Sequence, residues 1–242
     1  MASVARTIKD LVIANRILAD QGVVDAFGEV SARHPSEHNR FLLARPMSPA
    51  AVEPADIIEF AADGSPGRPT AEPLSGARFI HAAVYEARAD VMALLHAGPE
   101  DILPFGIANA PLRPVIGSAG DMGGEVPVWD IAECSGDGTA LTVETMEQGR
   151  DLARCLGRAR LALLRAEGLI VTGRTLNDVV RLSVYVPRNA RTILAAAQLG
   201  AFRTLSAREA AARLAMDPES NAMRRGWEYW ARKAGCGDFL SD

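Results

Sequence analysis

Short apolar segments alternate along this chain with stretches of helical period, and some of the apolar segments are joined by tight turns. Strands linked partly by turns and partly by helices form a mixed sheet that needs cover on both faces. The pattern predicts an α/β fold: a single-domain, three-layer structure in which a mixed β-sheet is flanked by helices on both faces. It spans residues 1–242, and C-terminal helices within 206–234 pack on the domain or on a neighbouring subunit. No internal repeat, low-complexity tract or linker interrupts it.

Val4, Ile8, Leu11, Val12 and Leu18 share one helical face, and Gly22 follows as a stop. Gly28–Arg33, Phe41–Ala44 and Ile57–Phe60 read as short strands, the last closed by a turn at Asp63–Gly64. Gly76–Ala87 has helical period. Val91–His96 is a buried strand of five apolar residues ending in a histidine. Pro99–Phe105 suits a short helix. Residues 117–138 are glycine-rich and read as a long loop, which in a compact domain is more often functional than idle. Thr145–Leu156 is helical, and Leu161–Leu164 pairs with Leu169–Val171 across a turn. Thr175 with Asp178 caps a further helix, which Pro187 is expected to kink or break.

The apolar fraction of 48% and the charged fraction of 23% are those of an ordinary soluble globule. The net charge of −4 and the scattered arginines exclude a nucleic-acid footprint. Three widely spaced cysteines form no disulfide framework and suit a reducing compartment. Lys9 and Asp10 interrupt the N-terminal apolar positions, and no stretch approaches ~20 apolar residues. A cytoplasmic protein with no membrane or nucleic-acid partner is expected.

Four blocks in order carry a resemblance. They are Phe27-Gly28-Glu29-Val30-Ser31-Ala32-Arg33; Ala77-Arg78-Phe79-Ile80-His81 with Val84-Tyr85 and Arg88-Ala89-Asp90-Val91; Ala93-Leu94-Leu95-His96-Ala97-Gly98; and Leu164-Arg165-Ala166-Glu167-Gly168-Leu169-Ile170-Val171-Thr172-Gly173. Together they resemble the class II aldolase/adducin family over about residues 8 to 200. Pro104-Phe105-Gly106, Pro111-Leu112-Arg113-Pro114, Val126-Pro127-Val128-Trp129-Asp130-Ile131 and Trp227-Glu228-Tyr229-Trp230 are similar to its decarboxylases of hydroxylated aromatic dicarboxylates. The resemblance implies a lyase, decarboxylating or retro-aldol, acting through a carbanion on a small hydroxylated carboxylate. It also implies a homo-oligomer, a tetramer, with sites at subunit boundaries.

The departures bear on the chemistry. Ala77 stands where the family has a carboxylate. The strand ends His96-Ala97-Gly98 instead of His-x-His, and the turn reads Ala166-Glu167-Gly168 instead of Asn-His-Gly. Glu29 and Gly117 stand where the subgroup carries histidines. One histidine of three remains, whereas a catalytic divalent metal usually has three protein ligands. No cofactor is expected; the alternative is a divalent metal such as Mn, Zn or Fe on a rebuilt Glu29/His96/Glu167 site. A further alternative is an inactive family member that binds a ligand or partner.

Without metal, His96, Glu167 and Glu29 form an acid–base set, and Tyr229 protonates or closes the site, from a neighbouring subunit if it crosses. Arg78 or Arg113 holds a carboxylate, with Ser118, Asp121 and Trp227 as further substrate contacts. Each has a plainer reading: His96 as a core histidine, Glu167 as a solvated turn residue, the arginines as ion-pair partners, the aromatic run as packing. His81 reads as structural, and His34 and His38 as solvated.

Overall fold

The computed structural model describes residues 3–71, 73–108 and 110–240. The six expected strands form: β1 (Glu29–Arg33), β2 (Arg40–Ala44), β3 (Ile57–Ala61), β4 (Ala93–Ala97), β6 (Leu161–Leu164) and β7 (Gly168–Gly173). A two-residue strand, β5 (Val128–Trp129), joins them. All seven make one sheet in the order β3-β2-β1-β4-β7-β6-β5, antiparallel except for the parallel β5–β6 pair.

Helices cover both faces, as the alternation predicts. On one face lie α1 (Val4–Asp20), α6 (Leu176–Leu199) and α8 (Asn221–Lys233), packed on Val30, Ala32, Leu95 and Val171. On the other lie α2 (Arg78–Ala87) and α5 (Met146–Leu156), packed on Leu94, Ala162 and Ile170. The faces alternate because successive side chains of a strand point to opposite sides. Each leucine buried this way contributes about 1.5–3 kcal/mol. The Thr175 hydroxyl accepts the Asp178 N–H at 3.1 Å, so the expected cap starts α6. Short helices α3 (Leu103–Ile107) and α4 (Ile131–Ser135), with α7 (Ala207–Leu214), complete the order. α8 packs on α1 and α6 of its own chain.

Three expectations change. The 117–138 segment is not an open loop: it holds a 3₁₀ stretch at Gly117–Met122, then β5 and α4. Buried apolar residues at Ala119, Met122, Trp129 and Ile131 pin it down. Pro187 does not end α6, whose flanking Val184, Val186, Asn189 and Ala190 are buried in the core; that packing offsets the one backbone bond that proline removes. His34 is buried, its Nδ1 accepting the Glu37 N–H at 2.9 Å, whereas His38 is exposed. Among the described residues no helix is long and apolar enough to cross a membrane.

Candidate active site

β1 and β4 pair with Glu29 directly opposite His96. Val30 and Ala32 belong to the core under α1 and α6, so Glu29 and Ser31 face α2. His96, next to Leu94 in the same alternation, faces the same way. The carboxylate and imidazole are therefore cross-strand neighbours on one face, with His96 Nδ1 3.3 Å from Glu29 Oε2. Ser75, just before α2, donates its hydroxyl to Glu29 Oε1 at 2.9 Å.

Glu167 arrives from the other side, in the tight turn between β6 and β7, where Ala166 has φ of 60° and Gly168 of 148°. That turn presses against the end of β4. A Cβ on Gly98 would stand 2.6 Å from the Glu167 carbonyl oxygen, and one on Gly168 would stand 2.1 Å from the Ala97 carbonyl oxygen. Glycine at both positions permits an approach that places Glu167 Oε1 3.3 Å from His96 Nε2. Nε2 is buried at that contact.

These groups sit in a cleft of about 860 Å³, also lined by Phe27, Ala77, Gly98, Glu144 and Arg191. His96 is pushed up to about 10: burial opposes its charge, and the Glu167 and Glu29 carboxylates more than offset that. At neutral pH it is an imidazolium. Burial would raise the Glu29 carboxyl, but His96 first, with His81 and Ser75, holds it below its ordinary value. The cleft is otherwise acidic: Asp25, Glu100, Asp101 and Glu144 line it, and its one arginine, Arg191, is tied to Asp101 at 3.1 and 2.5 Å.

The remaining residues singled out by sequence lie elsewhere. Arg78 does not line the cleft; it donates to the Gly64 and Ser75 carbonyls at 3.1 and 2.7 Å and stacks on Phe79. Arg113 is exposed, with its carbonyl on Asn189. The Ser118 carbonyl accepts from Arg181. Asp121 is buried between Arg160 and Arg181, and Asp178, 2.8 Å from Arg160, balances the second cation. Trp227, on α8, is buried and lines a separate cavity of about 710 Å³ with Arg33, at the far end of β1. Tyr229 is 63% exposed. Sequence reasoning missed Ser75, Glu144 and Arg191; a serine or glutamate in a polar loop carries no local signal of what it faces.

The donor set does not fit the family's metal site. Both imidazole nitrogens face carboxylates. No group of three or more His, Cys, Asp or Glu side chains able to hold a metal ion occurs among the described residues. Position 98, where the second strand histidine is expected, has no room for a side chain.

Comparison with known proteins decides the family. Residues 9–194 match the model of the class II aldolase and adducin N-terminal domain. The chain belongs to the class II aldolase and adducin family. Among the relatives of this family member is a decarboxylase of Talaromyces stipitatus, tropJ, 26% identical over 258 aligned positions covering 97% of this chain and 96% of that one. Another is the 3,4-dihydroxyphthalate decarboxylase of a Terrabacter species, 27% identical over 203 positions covering 77% and 80%. The fold matches an aldolase II superfamily protein from Pseudomonas syringae (TM-score 0.77, 20% identity, covering 97% and 94%). It also matches the L-fuculose 1-phosphate aldolase of Glaciozyma antarctica (TM-score 0.75, 19% identity, covering 95% and 88%). The family and its decarboxylase relatives support a lyase-type enzyme.

Proposed function

We propose that this family member decarboxylates a small hydroxylated aromatic carboxylate without a metal, using the His96 imidazolium as the positive charge that receives the developing anion. The observation that carries the reading is the His96 ring held in the cleft 3.3 Å from a Glu29 oxygen and 3.3 Å from a Glu167 oxygen, two carboxylates that favour its protonated form. Glu29, held by Ser75, takes Nδ1–H and sets the direction of the ring. Glu167 faces Nε2 from the other side at 3.3 Å and completes the hold on the ring. The carboxyl-bearing ring carbon first takes up one proton, relayed by His96 and Glu167, while a ring hydroxyl gives up its own, which forms the keto tautomer. When the carboxylate then leaves as carbon dioxide, its bonding electrons restore the aromatic ring and pass onto the former hydroxyl oxygen, where a preorganised positive charge stabilises the developing anion. The phenolate takes up a proton from solvent, and the proton released in the first step restores the enzyme.

Charge supports decarboxylation over cleavage of a sugar phosphate. A phosphate would need free guanidinium or ammonium groups, and the only arginine lining the cleft is bound to Asp101. A carboxylate among carboxylates is relieved of repulsion when it leaves as neutral gas. The assembly belongs to the same reading: a cytoplasmic homo-tetramer, supported by Phe27, 81% exposed at the cleft mouth, and by Tyr229, exposed for contact with a neighbouring subunit. The test is carbon dioxide release from a panel of hydroxylated benzoates and phthalates with chelator present. Turnover should persist with chelator, and His96→Ala and Glu167→Gln should each lose about 10²–10⁴ in rate while remaining folded. Wild-type turnover in both variants would place the chemistry elsewhere, and turnover abolished by chelator would restore a metal.

A further inference from the structure

The rim of the cleft carries an ion pair that the proposed reaction does not use. Asp101 stands in the 3₁₀ turn Glu100–Ile102, just beyond β4 and His96. Ile102 is fully buried and anchors that turn. Arg191 lies on α6, next to the buried Ala190. Its Nε donates to Asp101 Oδ1 at 3.1 Å and its Nη2 to Oδ2 at 2.5 Å, so one edge of the guanidinium is matched to both carboxylate oxygens. Both residues line the cleft. The Arg191 side chain is 69% exposed and that of Asp101 26%. A pair so open to water contributes little to stability. Its consequence lies in the charge it leaves to the cleft.

Among the described residues, six carboxylates line the cleft: Asp25, Glu29, Glu100, Asp101, Glu144 and Glu167. Against them stand His96 and Arg191. Arg78 and Arg113, which the sequence offers for holding a carboxylate, do not line it, and neither does Lys9 or Lys233. Asp101 cancels the charge of Arg191, and Glu29 and Glu167 together outweigh that of His96. No positive charge is left over for a second anionic group on the substrate. Like charges within a few ångströms repel, whereas a guanidinium with its fork free binds a carboxylate bidentately.

Resting on the decarboxylase reading for its chemistry, we propose that Asp101 is a specificity-determining residue: by occupying Arg191 it restricts the cleft to substrates with a single carboxylate, the one that is lost, and turns away dicarboxylates and phosphate esters. A hydroxylated benzoate meets this rule and a hydroxylated phthalate does not. The product of such a substrate carries no carboxylate, so no ion pair delays its release.

The test reads binding and needs no turnover. Salicylate and 3-hydroxyphthalate share a ring and a hydroxyl and differ by one carboxylate, and all their carboxyls are ionised at about pH 7.5. Each is titrated at that pH into nitrogen-15-labelled wild type, Asp101→Ala, Asp101→Asn and the double variant Asp101→Ala with Arg191→Gln. The backbone amides of Gly76 and Gly98, which line the cleft, are the probes. Wild type should bind salicylate about ten-fold more tightly than the phthalate. Asp101→Ala should gain about ten-fold or more in affinity for the phthalate, and far less for salicylate. Asp101→Asn should move the same way; it keeps the shape of the side chain, so a distortion caused by alanine would not reproduce the result. The double variant should lose the gain, because it puts two uncharged side chains in place of a neutral ion pair. Equal affinity of the wild type for the two ligands overturns the inference. So does a phthalate affinity unmoved in both single variants, a gain that survives in the double variant, or no binding of either ligand to any of these proteins. Turnover is scored separately: a wild type that selects salicylate while no hydroxylated benzoate yields carbon dioxide sinks the decarboxylase reading and leaves the selection by charge standing.

Discussion

The cation between two carboxylates makes stability depend on pH in a direction that can be measured without a substrate. The His96 imidazolium titrates at about 10 in the folded chain against 6.5 for the ordinary group, a difference equivalent to about 5 kcal/mol. Below 6.5 both states hold the proton and the contribution is fully present. Above it the unfolded chain gives up a proton that the folded chain keeps, so stability falls by about 1.4 kcal/mol per pH unit until the folded group titrates. From about pH 7.5 to 9.5 the loss is about 2–3 kcal/mol. Lysine, tyrosine and cysteine titrations contribute to any alkaline loss, so the informative quantity is the comparison with His96→Gln. Urea unfolding of both proteins at three pH values gives the two slopes. The wild type should lose about 2–3 kcal/mol more than the variant across that interval. Equal slopes would refute the cationic His96 and with it the proposed sink. On the acid side the sign reverses at His81, whose folded value of about 3 lies below the ordinary 6.5, so its contribution is present above 6.5 and is lost as pH falls.

Other outcomes follow from the same geometry. Gly98→Ala forces a methyl group to within 2.6 Å of the Glu167 carbonyl oxygen; it should cost about 1–3 kcal/mol in urea unfolding and separate Glu167 from His96, flattening the alkaline slope as well. Protein purified without chelator should carry well under one equivalent of zinc, manganese or iron by elemental analysis, since Gly98 and Glu167 stand where two histidine ligands are expected; a stoichiometric metal would promote a rebuilt Glu29/His96/Glu167 site. Light scattering at micromolar concentration should give the mass of a tetramer, and a monomer mass would contradict the proposed assembly.

Much of the fold was legible in the chain itself. The spacing of Val4, Ile8, Leu11 and Leu18, the apolar run at Val91–Leu95 and the Thr175–Asp178 cap are local signals, because helical and strand periods and capping bonds involve residues within a few positions of one another. Glu29, His96 and Glu167 could be singled out as blocks of a family pattern, and strand pairing brings them together. Arg78, Asp121 and Trp227 could not be placed the same way. A guanidinium, a carboxylate or an indole looks alike in sequence whether it meets a substrate, a backbone carbonyl or an ion-pair partner. Which it meets is decided by elements far apart in the chain: Arg78 by the turn at Gly64, Asp121 by Arg160 and Arg181, and Trp227 by the body of the chain beneath α8. The tertiary structure alone decided the charge on His96. An imidazole takes its proton affinity from what surrounds it, and here two carboxylates from separate strands and turns outweigh the burial that would otherwise leave it neutral.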